Sequence, residues 1–266
     1  MKLVKTVLIG FVATASVAFA AACGDNDNGG SANPSASAAS ATASKSSDPK
    51  AQFTDATALL RGTPYKFDMK AGDLTYNGSD DPLAGIAVGK LNTSLQGLKV
   101  SIDAQLTQND YWVKETGLPV PGIDTTKWLH LDPTKVTSLN AVSFGGPTDP
   151  TGLQDLATTV VSVESPSAKQ LKGTFDFTKH TWGPVANAAT VSGLGDKAKA
   201  VPFEATLDDQ GRLTALKIMI PANGSVQARE VDVTYSDFGA DVKPSSPAST
   251  DTVEAPDLVY TFINAA

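Results

Sequence analysis

The stretch VPFEATLDDQGRLTALKIMI, residues 201–220, decides the fold. Val201, Phe203, Ala205 and Leu207 alternate with other residues, and Leu216, Ile218 and Ile220 do so again beyond Asp208-Asp209-Gln210-Gly211. A period of two sends successive side chains to opposite faces of a strand, and a turn ending in glycine accommodates the positive φ of a tight reversal. The stretch therefore predicts a β-hairpin with one apolar face.

Working outward, the same rhythm recurs in Tyr65-Phe67-Met69, Leu98-Val100-Ile102-Ala104-Leu106, Tyr111-Val113, Trp128 to Leu131, Leu171-Gly173-Phe175-Phe177 and Val231-Val233-Tyr235. These runs predict an antiparallel sheet with one wet and one covered face. Helical spacing is sparser. Phe53, Ala56 and Leu60 predict a short helix stopped by Gly62; Leu153, Leu156, Ala157, Val160 and Val161 form a second stripe; residues 184–200 are partly helical, broken by Gly193 and Gly195. So much apolar strand surface exceeds what a few short helices shield. The sheet must either curl and fill itself with its own side chains or keep an apolar pocket.

Composition narrows the function. In 266 residues, 21 Lys plus Arg face 28 Asp plus Glu, a net charge of −7 that offers no basic field for nucleic acid. A single cysteine excludes an intrachain disulfide framework and a Cys-rich zinc site. His130 and His180 are the two histidines, and no metal or other cofactor is expected. The sequence has no Gly-x-Ser-x-Gly elbow, His-Glu-x-x-His, P-loop or dinucleotide fingerprint, so an enzyme is not expected.

The amino terminus reads as an address. Lys2 and Lys5 precede the uncharged run TVLIGFVATASVAFAAA, residues 6–22, which has the layout of a signal peptide over residues 1–22 and is also nearly long enough for a retained anchor. The three alanines before Cys23-Gly24 resemble the lipobox of bacterial lipoproteins, although Ala20 stands where leucine is usual. That resemblance implies diacylglyceryl attachment at Cys23 and a lipid anchor on the extracytoplasmic face of the cell membrane. Residues 24–50 hold nothing more apolar than alanine and are expected, with Cys23, to form a flexible tether spanning roughly 30 Å.

Several segments together, YKFDMKAG, VSIDAQLTQNDYWVK, TKWLHLDPTKV, LKGTFDFTKHTW, VPFEATLDDQGRLTALKIMIP and VDVTYSDFGADV, resemble the LppX/LprAFG lipoproteins of actinobacteria over about residues 51–243. The carboxy-terminal pair, Asp208 to Leu213 followed by Val233 to Gly239, is the most distinctive part. The resemblance implies an α+β LolA-like half-barrel, a strongly curved antiparallel sheet wrapped over a few helices around an apolar cavity. It also implies binding and carriage of an acylated lipid or glycolipid in the cell envelope, with an unidentified envelope transporter as a possible partner. Candidate cavity residues are Phe67, Met69, Val100, Ile102, Phe175, Phe177, Phe203, Leu216, Ile218, Val231 and Val233, each equally readable as packed core; Trp112 and Trp128 are candidates for a rim. Residues 244–266 depart from the pattern, and their apolar run Leu258 to Ile263 adds an edge strand, caps the cavity or lies loose. The alternative reading is an envelope lipoprotein that senses or scaffolds a partner without carrying lipid.

Overall fold

The structure is a computed structural model that describes residues 47–95, 97–118, 123–137, 145–180 and 186–264. Cys23 and the expected signal and tether, up to residue 46, lie outside the described residues.

The chain opens with helix α1 (Pro49–Arg61), for which Asp48 accepts the Lys50 N–H at 3.1 Å, Pro49 stands in the first turn and Gly62 ends the run. Eleven strands follow: β1 (Tyr65–Ala71), β2 (Leu74–Asp81), β3 (Ile86–Leu95), β4 (Leu98–Leu106), β5 (Tyr111–Thr116), β6 (Trp128–Leu131), β7 (Val160–Ser167), β8 (Gln170–Phe175), β9 (Val201–Leu207), β10 (Leu213–Ile220) and β11 (Arg229–Ser236). Helix α2 (Leu153–Ala157) precedes β7, and α3 (Ala188–Leu194) precedes β9. The carboxyl-terminal residues supply β12 (Thr252–Glu254) and α4 (Asp257–Asn264).

All twelve strands join one sheet in the order β12-β6-β5-β4-β3-β2-β1-β11-β10-β9-β8-β7. Every neighbouring pair is antiparallel except β12 with β6. The hairpin read from residues 201–220 forms as expected: Phe203 faces Ile218, and the Asp208 carboxylate accepts the N–H groups of Gln210 and Arg212, both at 2.9 Å.

The expected half-barrel does not form. The sheet is a single open, mixed α+β layer whose outer strands β12 and β7 do not pair, neither closed nor strongly curved. The error has a physical source: alternation of period two specifies which face is apolar and is identical in flat, twisted and coiled sheets. Two local expectations also need correction. Val160 and Val161 do not continue the helical stripe; α2 stops at Ala157 and the valines start β7. The apolar run from Leu258 is helix α4, whereas the added edge strand is the preceding Thr252–Glu254.

Register shows that the apolar residues share one face. Met69 lies opposite Val233, which lies opposite Leu216; Val231 lies opposite Ile218, which lies opposite Phe203. On this face α1 packs over β7 and β10 and buries Phe53 against Phe203, ring centroids 4.9 Å apart. Lys50 Nζ donates to the Val160 carbonyl at 3.0 Å, fixing the start of the helix to the start of β7. The other face is polar and crossed by ion pairs such as Lys172 with Glu204 at 2.7 Å and Lys90 with Asp103 at 3.1 Å.

Two aromatic rings lie over glycines on neighbouring strands. Gly78 lies opposite Phe67, and Gly173 opposite Phe203; a Cβ on Gly78 would come within 2.8 Å of the Phe67 ring and would collide with the Val88 carbonyl. The rings fill the space that side chains would need, so substitution forces backbone apart rather than displacing a flexible end. Gly78→Ala is expected to lower stability by about 1–3 kcal/mol in urea unfolding, and an unchanged midpoint would show that the ring does not depend on this contact.

Candidate functional site

The eleven candidate lining residues fall into two groups on the same apolar face. Phe67, Met69, Phe175, Phe203, Leu216, Ile218, Val231 and Val233 come from β1 and β8–β11, with Phe177 just beyond β8; all are buried. Phe175 stacks on Phe203 at 4.2 Å and faces Phe177 at 6.4 Å, so this group packs internally and beneath α1. Val100 and Ile102 sit on β4, separated from the first group by β2 and β3. Val100 is buried and Ile102 half-buried. At the start of β4, Leu98 remains 48% exposed. Accessible apolar surface therefore lies on the β4 side, whereas the β8–β10 side is a packed core.

Trp112 and Trp128 are on the opposite, polar face, because they alternate with the buried Val113 and Leu129. Trp112 stacks on His130 with ring centroids 5.6 Å apart. His130 Nδ1 lies 2.9 Å from Glu254 Oε1, and its Nε2 lies 2.9 Å from Asp110 Oδ1. With a carboxylate at each nitrogen the ring is occupied and is poorly placed to act as a general base. His180 is half-buried in the segment after β8.

A buried polar knot under the apolar face escaped the sequence reading. Asp80, on β2 opposite Tyr65, is fully buried. The Tyr65 hydroxyl approaches closely enough to favour the charged carboxylate, yet neither group completes a hydrogen bond of normal geometry. Tyr235, whose ring lies 5.4 Å from that of Tyr65, has its hydroxyl 3.3 Å from Thr151 Oγ1, which in turn donates to Asp149 at 3.3 Å. Asp149 accepts the N–H groups of Leu153 and Gln154 at 3.2 and 2.8 Å, so the same carboxylate organises the start of α2. The only forewarning was Asp80 in phase with Leu74 and Tyr76, a polar residue on the buried side of an alternating strand.

Burial pushes the Asp80 carboxyl up to about 8, with the charges of Asp149 and Asp81 adding to the shift. Burial also raises Asp149 to about 6, opposed mainly by the Gln154 N–H. The phenols of Tyr65 and Tyr76 are raised by burial and by the nearby carboxylates. A neutral carboxylic acid surrounded by neutral phenols is compatible with an apolar interior, whereas an ionised one is costly there.

Two shallow depressions, of about 450 and 420 Å³, open mainly among polar-face side chains. The first is bordered by Glu164, Lys172 and Glu204, the second by Lys66, Asp68 and Asn77. Among the described residues no group of three or more His, Cys, Asp or Glu could hold a metal ion, and no helix is long and apolar enough to cross a membrane. Comparison with protein-family models and with curated proteins finds no match for this chain.

The raised Asp80 pKa makes stability pH-dependent in a defined direction. Asp80 keeps its proton up to about pH 8 in the folded protein, whereas the unfolded chain loses it near about 4, so its contribution to stability is complete below the lower value and falls between the two. Asp149 contributes a smaller fall that ends at about pH 6. Asp80→Asn should remove most of the slope between about pH 6 and 8 and exceed the parent's stability by at least about 1 kcal/mol near pH 8. Urea melts at the two ends of this range check it; parallel slopes would place the proton elsewhere.

Proposed function

We propose that the protein is a membrane-anchored lipoprotein that binds an acylated lipid or glycolipid against the apolar face of its sheet and carries or presents it in the cell envelope. The observation that carries this reading is the mismatch between apolar face and helical cover. Twelve strands at about 4.8 Å spacing span roughly 55 Å, and strands of this length give a face on the order of 1,200 Å². The four described helices have 13, 5, 7 and 8 residues. At about 1.5 Å per residue and about 10 Å width they cover roughly 500 Å². The chain itself already buries much of the remainder, Leu91, Val100 and Ala104 among it, while the half-buried Ile102 and the exposed Leu98 leave approachable apolar surface on β4.

The mechanism is solvation without bond chemistry. An acyl chain gains about 0.8 kcal/mol per methylene on leaving water, and the bilayer offers nearly the same gain. Transfer between membrane and protein is then close to balanced in free energy, so a modest change in the apolar site moves the equilibrium. Attachment at Cys23 would keep the domain within a tether's length of its lipid source, and the resemblance to LppX/LprAFG lipoproteins supports the same cargo class. The envelope transporter that would exchange cargo with it is of unidentified type.

Two outcomes are expected. Cys23→Ser should move the intact chain from the membrane to the soluble fraction; a variant that stays with the membrane contradicts the anchor. Ile102→Glu should weaken binding of a fluorescent acyl lipid at least about tenfold, whereas Lys99→Glu, on the polar side of β4, should leave binding within about twofold. Equal binding by both variants would contradict a site on β4, and no binding by the parent chain would favour a scaffold without cargo.

A further inference from the structure

Asp110, His130 and Glu254 come from the turn before β5, from β6 and from β12, and they converge on one imidazole. A neutral histidine has one ring donor and can satisfy only one of two flanking carboxylates, while the imidazolium satisfies both. Trp112 closes one side of the ring by stacking on it. Other charges nearby are Asp132, whose own carboxyl responds to His130, and Lys114, which shares the polar face of β5 with Trp112. Lys127, just before β6, is engaged with the Thr250 carbonyl at 2.7 Å and with Asp251 at 3.9 Å.

The segment that Glu254 belongs to is lightly held. Strand β12 has three residues, pairs among the described residues only with β6, and is followed by an Ala255 N–H donating to the His130 carbonyl at 2.9 Å. Helix α4 then buries Val259, Tyr260 and Ile263; the Tyr260 hydroxyl accepts the Asp132 N–H, and Asn264 bonds the Thr137 N–H and the Lys135 carbonyl. The ion pair thus sits where the strap first meets the sheet, and everything distal to it rests on one short helix.

We propose that residues 252–264 form a displaceable strap over the β6 edge and that His130, bridging Asp110 and Glu254, is its pH-sensitive latch. Glu254 first, then Asp110, hold the imidazole above its ordinary range against partial desolvation. The latch contribution is therefore complete below about pH 6.5, the value for an unfolded histidine, and is lost as pH rises through the higher folded value. Opening exposes the backbone edge of Trp128–Leu131 and unburies α4.

Hydrogen–deuterium exchange on the full chain tests the latch. Rates for peptides covering 252–264 are corrected for intrinsic chemistry and compared with peptides from β9 and β10, at about pH 6 and about pH 9. The expected result is a roughly two- to fivefold loss of protection in the strap at the higher pH, a size suited to partly exposed ion pairs, while the fall in β9 and β10 that Asp80 imposes is the same in the parent chain, Glu254→Gln and His130→Gln. Glu254→Gln, at a highly exposed position, should give the loosened strap at both pH values while the core peptides keep their protection. His130→Gln should also abolish the pH response. Equal strap protection across pH in the parent chain, or a pH response that survives in Glu254→Gln, overturns the proposal.

Discussion

Covering one apolar face governs this molecule. Hydrophobic side chains on twelve strands point to the same side of one sheet, and water must be removed from them by something other than a second sheet. On the β7–β10 side α1 does this with Phe53, which enters a group of rings with Phe175 and Phe203. Near β6, α4 provides Tyr260 and Ile263. The middle of the face, Phe67, Met69, Tyr76 and Leu91, is buried as well, so approachable apolar surface is confined to the β4 side, at Ile102 and Leu98. The proposed lipid site rests on that side, since an acyl chain is as apolar as the leucines there.

The same demand explains why the interior tolerates Asp80 only as an acid. Its carboxyl shares the dry side with Tyr65 and Tyr76, and the route to neutrality is retention of a proton, because no cation is placed against it among the described residues. Asp149 has a gentler environment, since two backbone N–H groups and Thr151 compensate its charge while it begins α2. The knot therefore couples the β1–β2–β11 part of the sheet to the α2 turn through groups whose protonation depends on burial.

Much of the strand content was legible because burial writes a period of two into residues such as Phe203, Ala205 and Leu207. Strands β2, β3 and β7 were not, for identifiable reasons. In β2 the buried positions include Asp80, in β3 the side chain at Gly89 is absent, and in β7 the edge position leaves Val161 exposed beside polar residues. Overall bending was illegible altogether, since alternation carries no information about curvature, and the family resemblance supplied a half-barrel that the chain does not form. For the candidate site, the apolar face could be read from spacing residue by residue. Its division into a packed part and an approachable part could not, because that depends on where α1 docks. The contacts among Asp110, His130 and Glu254 were equally hidden: the one between His130 and Glu254 spans 124 residues and needs the parallel pairing of β12 with β6.

The most direct measurement is native mass spectrometry of the Cys23→Ser chain expressed in its own type of host envelope, which separates held cargo from any covalent anchor. Lipid carriage by the apolar face requires additional mass equal to one acylated lipid or glycolipid, released by organic solvent and absent from Ile102→Glu. A single peak at the mass of the bare polypeptide, unchanged after incubation with membrane lipid, contradicts it.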